Sequence, residues 1–193
     1  MSLPVIEHAI LDRDGVLNRE LDSGWLASPS QWEWEEGSLE ALQRLTRSGV
    51  KISVVSNQSG IGRGVVSQRD VDEVHQWLTQ ELAASGVELA GIYVCPHAPE
   101  DGCDCRKPLP GLVHQAIERS GIARERSILI GDDKRDLEAG EAAGVRVALV
   151  RTGKGESVRD QVEPNTLVFK DLREAVISIV ESRTGAPGAT RNC

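Results

Sequence analysis

Two aspartates, Asp12 and Asp14, stand two positions apart directly after an apolar run at residues 6–11. Side chains alternate along an extended chain, so both carboxylates can project from one side of a strand's carboxyl end. The two carboxylates of such a pair can take different roles in one reaction: one can attack as a nucleophile while the other carries a proton. Gly15 follows, and it allows the backbone to turn and to approach a bound oxyanion closely. A strand that ends in an aspartate-rich turn is the non-catalytic alternative.

Two further polar segments carry groups that suit phosphoryl transfer. Ser56 offers a hydroxyl, Asn57 an amide, and Lys107 an ammonium group that can pair with phosphoryl oxygens as negative charge develops on them. Arg106 can hold a second anionic or hydroxyl-rich part of a substrate with its planar guanidinium. Taken singly, a serine can also cap a turn and a lysine can be a solvated surface charge.

A divalent cation is the other requirement, because a carboxylate and a phosphate dianion repel each other. Asp12 and Asp132 offer the oxygen ligands that Mg²⁺ prefers, and the backbone carbonyl of Asp14 can complete the set. Attack by Asp12 then gives an aspartyl phosphate. Asp14 protonates the leaving alkoxide and afterwards deprotonates the water that hydrolyses the intermediate. The alternative for Asp132 is an acidic helix start that the helix dipole favours.

Three cysteines and a histidine crowd into eleven residues, whereas Cys193 stands alone at the end of the chain. In a reducing compartment, such clustering indicates a metal site rather than disulfides. Four sulfur and nitrogen ligands can close a tetrahedral Zn²⁺ site with no position left for water, so we expect a structural zinc. The expected ligands are Cys95, His97, Cys103 and Cys105. Reduced cysteines that bind nothing are one alternative; a nucleic-acid zinc ribbon is another, although the spacing does not fit one.

The whole chain has 193 residues and a formal net charge of -8. This length suits one domain, and the negative charge argues against a nucleic-acid or anionic-membrane partner, whose contact surface is basic. The first residues have no basic segment followed by an apolar core, and no later run is long enough to span a bilayer. We therefore expect a cytoplasmic protein.

Apolar patterns and turn residues predict alternating strands and helices. The predicted strands are residues 6–11, 52–55, 92–94, 128–130, 145–150 and 166–169. The predicted helices are residues 37–48, 67–86, 110–121, 135–143 and 172–182. This alternation predicts an α/β fold with a parallel sheet, helices on both faces and a site at the carboxyl ends of the strands. We expect one domain at residues 1–184 and a flexible tail at residues 185–193.

A long loop is predicted at residues 18–36, and it holds three of the four tryptophans of the chain. Trp25, Trp32 and Trp34 can form either a local hydrophobic plug or a wall of the site. The segment between Asp14 and Gly37 is too short for a separate helical cap domain, which predicts an open crevice with specificity set by loops.

In their order and spacing, four motifs resemble those of the haloacid dehalogenase superfamily of phosphatases. They lie at residues 12–16, 56–58, 106–108 and 131–136, and the resemblance extends from about residue 6 to 155. It implies a three-layer Rossmann-like fold without a large cap domain. It also implies that Asp12 is the nucleophile and Asp14 the general acid and base. Ser56 and Lys107 would then stabilise the phosphoryl group, and Asp132 would bind Mg²⁺ with Asp12 and Asp14.

The zinc loop, residues 95–108, resembles that of two phosphatase groups, which act on D-glycero-D-manno-heptose 1,7-bisphosphate or on histidinol phosphate. Residues 57–64 and 149–154 resemble the heptose group more. The resemblance implies a Mg²⁺-dependent enzyme that removes the 7-phosphate during the synthesis of nucleotide-activated heptose. A histidinol-phosphate phosphatase is the alternative within enzymes. A noncatalytic zinc-binding interaction module is the alternative from another class.

The same resemblance implies a substrate pocket for a small sugar phosphate. Its predicted residues are Asp22, Ser23, Gly24, Trp25, Asn57, Gln58, Ser59, Arg106 and Asp133. Asp133 stands where some relatives have a lysine. The absence of a cap favours a monomer.

Overall fold

A six-stranded parallel sheet forms the centre of the computed structural model, which describes residues 5–21 and 24–184. The strands are β1 (His8–Leu11), β2 (Lys51–Asn57), β3 (Gly91–Cys95), β4 (Ser127–Gly131), β5 (Arg146–Val150) and β6 (Leu167–Phe169). Their order across the sheet is β3-β2-β1-β4-β5-β6, and neighbouring strands are parallel. The predicted tail at residues 185–193, with Cys193, lies outside the described residues.

Helices cover both faces of this sheet. They are α1 (Ser38–Arg47), α2 (Ser59–Gly62), α3 (Gln68–Ala84), α4 (Gly111–Ser120), α5 (Lys134–Ala143), α6 (Gly155–Val158) and α7 (Leu172–Thr184). Because side chains alternate along a strand, Ala9 and Leu11 of β1 pack into one core with residues of α1, α3 and α7. Ile10 enters the second core with residues of α4 and α5. The predicted three-layer α/β architecture is confirmed.

The short helices α2 and α6 were not predicted. Each has four residues, and two of the four in α2 are glycines, so neither has an apolar period. Contacts with other segments hold α2 instead: the Gly62 amide donates to the Pro96 carbonyl at 2.8 Å. In the described part of residues 18–36, a 3₁₀ turn (Pro29–Gln31) interrupts the predicted loop.

The strand order reverses at β1, since β2 and β3 follow on one side of it and β4, β5 and β6 on the other. Leu11 pairs with Val54 of β2 on one side and with Ile130 of β4 on the other. The Asp12 amide extends this ladder by donating to the Ile130 carbonyl at 3.0 Å. Ligands of doubly wound sheets bind outside the carboxyl ends of the strands at such a point. The loops after β1, β2 and β4 therefore open onto one crevice.

The tryptophans of the loop after β1 take both of the roles considered for them. Trp32 packs edge-to-face on Trp34, with ring centroids 5.1 Å apart, and lies 5.5 Å from the Trp77 ring of α3. This plug ties the loop to α3. Trp25 lines the crevice instead. Among residues 5–21 and 24–184, no helix combines the length and apolar character that a bilayer crossing requires.

A buried histidine occupies the opposite end of β1. His8 is fully buried, and its Nε2 atom lies 2.8 Å from the Ser53 hydroxyl, while Nδ1 lies 3.4 Å from the Ser127 hydroxyl. Burial, with a smaller contribution from the charge of Lys51, lowers the pKa of His8 from 6.5 to about 4. The folded protein therefore holds this imidazole neutral.

This depressed pKa predicts a loss of stability in mild acid. Since the unfolded chain binds the proton more tightly, the contribution of His8 is complete above pH 6.5 and is lost as the pH falls towards 4. Between pH 7.5 and pH 5, the free energy of unfolding should fall by about 2 kcal/mol more in the wild type than in His8→Asn. Urea unfolding at the two pH values measures this difference, and equal pH slopes would contradict it.

Candidate active site

A crevice of about 190 Å³ opens at the carboxyl edge of the sheet. Most of the residues predicted for the site line it. These are Asp12, Asp14, Gly24, Trp25, Ser56, Asn57, Ser59, Arg106, Lys107, Asp132 and Asp133. Asp22 and Ser23 lie outside the described residues. Gln58 does not line the crevice but lies beneath it, where it is 3 % exposed.

Asp12 begins the loop after β1, and one of its carboxylate oxygens is held firmly. Oδ1 accepts the Arg13 amide at 2.7 Å and lies 2.9 Å from the Lys107 ammonium. Among the hydrogen bonds of the described residues, none uses Oδ2. Burial and the nearby charge of Asp136 raise the pKa of Asp12 to about 7, against the opposing charge of Lys107. Oδ2 is thus the oxygen that is open to a substrate in the crevice.

Lys107 is buried at the base of the crevice, with its residue 2 % exposed. Its ammonium contacts Asp12 Oδ1 at 2.9 Å, Asp136 Oδ1 at 2.5 Å and the Val55 carbonyl at 3.2 Å. Burial alone disfavours the charged lysine, but the two carboxylates raise its pKa above the usual value. Three acceptors match the three protons of the ammonium. Lys107 therefore stabilises the Asp12 carboxylate, and its predicted contact with a phosphoryl group stays a prediction.

Asp14 is fixed from three sides. The Arg13 guanidinium donates to both carboxylate oxygens, with Nη2 2.9 Å from each. Asn18 Nδ2 donates to Oδ1 and Gln58 Nε2 to Oδ2, both at 2.9 Å. Although burial disfavours the charged form, Arg13 and the two amides hold the pKa of Asp14 below its usual value. Asp14 is thus ionised and held in one orientation. Asp12, by contrast, lies close to other carboxylates, which disfavour its ionised form.

Two predicted substrate residues have internal partners instead. The Gln58 amide donates to Ser56 Oγ at 2.7 Å as well as to Asp14, so it orients two residues of the site. Ser56 accepts this bond and keeps its own proton to donate into the crevice. Asn57 pairs with the Lys107 backbone, accepting its N–H and donating to its carbonyl at 3.0 Å each. An amide side chain can bind a substrate or hold a neighbouring residue, so the sequence alone could not show which of these Asn57 and Gln58 do.

Asp132 directly follows β4, and its carboxylate packs against two glycines. Its Oδ2 accepts the Lys154 amide at 2.8 Å. A Cβ atom on Gly15 would lie 2.2 Å from this oxygen, and one on Gly153 would lie 2.0 Å from it. Gly15 also has a φ of +83°, which disfavours other residues. Gly15 thus permits a close approach to the Asp132 carboxylate, and its predicted approach to a bound oxyanion stays a prediction.

Three carboxylates can share a cation in this crevice. Oxygens of Asp12, Asp132 and Asp136 all lie within 4.8 Å of one another. Burial, then the charges of Asp12 and Asp136, raises the pKa of Asp132 to about 8. Asp136 already binds Lys107 through Oδ1 and the Asp133 amide through Oδ2. The donor set fits a divalent cation between Asp12 and Asp132, with Asp136 as the anchor of Lys107.

Four lining residues were missed as site residues. They are Glu20, Arg135, Asp136 and Lys154. Asp136 falls inside the fourth motif and Lys154 follows the carboxyl end of β5, so both positions carried a signal. Glu20 and Arg135, which stands at a variable position of that motif, carried none, because ion pairs place them. Arg135 Nη2 lies 2.6 Å from Asp133 Oδ2, and Lys154 Nζ lies 2.5 Å from Glu20 Oε1.

The predicted zinc ligands come together in the loop after β3. Cys95 Sγ lies 3.6 Å from both His97 Nδ1 and Cys103 Sγ, and His97 Nδ1 lies 3.3 Å from Cys105 Sγ. A tetrahedral zinc site has edges of about 3.8 Å between sulfurs and about 3.6 Å between sulfur and nitrogen. Burial and the two neighbouring cysteines raise the pKa of Cys105 to about 12, so the cluster needs a cation to hold three thiolates. The geometry fits zinc.

The chain has clear relatives of known name. Residues 104–175 match a family model described as HAD-hydrolase-like. The chain is 41 % identical over 164 residues to the D-glycero-beta-D-manno-heptose-1,7-bisphosphate 7-phosphatase of Pseudomonas putida, covering 84 % of this chain and 93 % of that protein. The enzyme of the same name from Neisseria meningitidis serogroup B is 39 % identical over 184 residues, covering 93 % and 97 %.

Solved structures agree with these relatives. The D,D-heptose 1,7-bisphosphate phosphatase from B. bronchiseptica, complexed with magnesium and phosphate, has a TM-score of 0.85 and 35 % identity, over 91 % of this chain and 99 % of that one. The corresponding phosphatase from Burkholderia thailandensis has a TM-score of 0.69 and 31 % identity, over 90 % and 98 %. The chain is a phosphatase that belongs to the family of D-glycero-beta-D-manno-heptose-1,7-bisphosphate 7-phosphatases, among the haloacid dehalogenase-like hydrolases.

Proposed function

We propose that this chain removes the 7-phosphate of D-glycero-D-manno-heptose 1,7-bisphosphate, in the beta form that its relatives' names specify, during the synthesis of nucleotide-activated heptose. The observation that carries the proposal is the crevice itself. It combines an attacking carboxylate, an oriented second carboxylate and a metal-binding carboxylate with cationic side chains on its wall. The attacking carboxylate is Asp12, the oriented one is Asp14 and the metal-binding one is Asp132.

The first step forms a covalent intermediate. Asp12 Oδ2 attacks the phosphorus of the 7-phosphate, and the bond between phosphorus and the sugar oxygen breaks. The leaving alkoxide needs a proton, but Asp14 is ionised in the substrate-free protein. A phosphate monoester has a second pKa of about 6, so the substrate can bring this proton and Asp14 can pass it to the leaving oxygen. Ser56 donates its hydroxyl proton to a phosphoryl oxygen.

The second step releases inorganic phosphate. Asp14, again a carboxylate, takes a proton from a water molecule that attacks the phosphorus of the aspartyl phosphate. The bond to Asp12 Oδ2 then breaks and restores the nucleophile. Bound Mg²⁺ supplies positive charge that offsets the repulsion between carboxylates and phosphate. Asp12 and Asp132 would hold it, with the Asp14 carbonyl, as the sequence predicts.

Charge on the crevice wall favours a bisphosphate over histidinol phosphate. Arg106 donates to the His97 carbonyl at 3.3 Å, and among the described residues no carboxylate pairs with it. Arg135 is held by Asp133 and presents a second guanidinium to the same crevice. A second phosphate can pair with the Arg106 guanidinium, whereas the amine of histidinol phosphate cannot. Asp133 thus serves the pocket by orienting Arg135.

We also infer that the Cys95, His97, Cys103 and Cys105 cluster binds a structural zinc. The loop continues directly into Arg106 and Lys107, so a folded metal site would set the direction of both cations. The cysteines of the cluster are thiols and not disulfides, which suits a reducing cytoplasm. No cap domain covers the crevice within the described residues, which favours a monomer.

The substrate assignment predicts a clear preference in a phosphatase assay. Heptose 1,7-bisphosphate should be hydrolysed with a kcat/KM about a hundredfold above that for histidinol phosphate, leaving heptose 1-phosphate. Phosphate release measures the rates, and ³¹P NMR identifies the remaining phosphate. Asp12→Asn should lower kcat by about a thousandfold or more, whereas Asp160→Asn, at a highly exposed position, should not. Preferential hydrolysis of histidinol phosphate would overturn the assignment.

The close packing of Gly15 on Asp132 predicts an effect on magnesium binding. Gly15→Ala would push the Asp132 carboxylate aside and should weaken Mg²⁺ binding about tenfold, measured by calorimetric titration. Gly64→Ala is the matched control, because its φ of +67° carries similar backbone strain with nothing within 4 Å. Equal Mg²⁺ affinity in both variants would contradict the proposed ligand.

The cysteine cluster predicts about one zinc per chain. Protein purified without chelator should contain this zinc by plasma mass spectrometry. Cys103→Ala should lose it and unfold at a lower temperature, because the loop would lose its metal cross-link. Cys193→Ala, outside the cluster, should retain it. Protein that is folded and active with almost no zinc would refute the structural site.

A further inference from the structure

Arg13, the residue between the two aspartates of the first motif, is among the most deeply buried side chains of the molecule, with 1 % exposure. Its guanidinium faces Asp14 with Nε and Nη2, in a side-on ion pair. Such a fork fixes the plane of a carboxylate as well as its charge. The orientation of Asp14 therefore depends on the orientation of Arg13.

The remaining arm of this guanidinium ends on a histidine from another element. Arg13 Nη1 lies 3.0 Å from His75 Nε2, although 62 residues separate the two along the chain. His75 lies within α3 and is 9 % exposed. On either side of it, Val74 and Leu78 of α3 are fully buried in the core, which holds the helix against the sheet. The imidazole is thus presented to Arg13 by a firmly packed helix.

Hydrogen-bond chemistry determines the role of this imidazole. An arginine can only donate, so His75 Nε2 must accept and its ring proton must reside on Nδ1. Burial and the charge of Arg13 lower the pKa of His75 to about 4, in agreement with a neutral ring. His75 lies behind Arg13 and not in the crevice, so it touches neither the reacting atoms nor the substrate.

We propose that His75 is a positioning residue, which holds the Arg13 guanidinium so that Asp14 presents its carboxylate to the leaving oxygen. The inference rests on the proposed role of Asp14 as general acid and base. If His75 loses its acceptor atom, Arg13 has a buried N–H without a partner and can turn away from Asp14. Proton transfer to the leaving group would then suffer, while substrate binding by the crevice wall would not.

The test separates proton transfer from the other steps. Poor leaving groups need a proton and good ones do not, so a series of aryl phosphates of rising leaving-group pKa is compared with heptose 1,7-bisphosphate. In His75→Leu, kcat/KM for heptose 1,7-bisphosphate should fall about tenfold or more, and for the most activated aryl phosphate less than about twofold. The inhibition constant of inorganic phosphate should not change.

Three companion variants keep the test decisive. His75→Gln retains an acceptor oxygen and should recover most of the lost activity, while Val74→Ala removes packing from the same helix and should leave the leaving-group dependence unchanged. If His75→Leu does not fold, Arg13→Lys is the second route, since lysine has no fork to span Asp14 and His75. It should reproduce the selective loss.

Asp14→Asn separates the role proposed for His75 from the acid and base role proposed for Asp14. If Asp14→Asn shows the selective loss and His75→Leu does not, the inference about His75 is overturned and the proposed function stands. A uniform loss over all leaving groups in His75→Leu, or equal losses in His75→Gln and His75→Leu, also overturns it. If Asp14→Asn itself shows no dependence on the leaving group, the proposed acid and base role fails.

Discussion

The buried ammonium of Lys107 is the interaction on which the site depends. Carboxylates that follow β1 and β4 and stand at the start of α5 meet in one crevice. Burial, and then their mutual repulsion, raises the pKa of Asp12 to about 7 and that of Asp132 to about 8. Lys107 lies between Asp12 and Asp136 and offsets part of this repulsion. Removing one partner of a buried ion pair leaves an uncompensated charge, which is strongly destabilising. The Asp12 carboxylate and the fold therefore need the same cation.

The loop after β3 places Lys107 in the crevice. Lys107 belongs to no helix or strand, so its position must come from neighbouring segments. Asn57, at the end of β2, holds the Lys107 peptide with two hydrogen bonds of 3.0 Å. The Cys and His cluster closes the preceding turn, and Arg106 donates back to the His97 carbonyl within it. The zinc proposed for this cluster would thus act on the site through Arg106 and Lys107, the two residues that follow it in the chain.

The sequence predicted the sheet edge and the residue types that gather there, but not which of them face the substrate. Strand ends in a parallel sheet converge by geometry, so Asp12, Ser56 and Asp132 could be placed together from strand positions alone. Gln58 was different, since an amide that binds a sugar and one that orients Asp14 have the same local sequence. The ion pair of Arg135 with Asp133 and the contact of Arg13 with His75 depend on how separate segments pack, and no spacing along the chain encodes them.

Helix α2 joins the wall of the crevice to the loop of the Cys and His cluster, and its small residues explain how. A Cβ on Gly60 would lie 2.4 Å from Trp25 Cδ1, and one on Gly62 would lie 2.6 Å from the Ala98 nitrogen. One face of this turn thus packs on the tryptophan that lines the crevice, and the other packs on the backbone of the zinc loop. In residues 5–21 and 24–184 no separate domain covers the crevice, so loops form much of its wall, and loops keep a shape only when they are packed on something rigid. The two glycines let α2 approach closely enough to link Trp25 on the crevice wall to the loop that holds the Cys and His cluster.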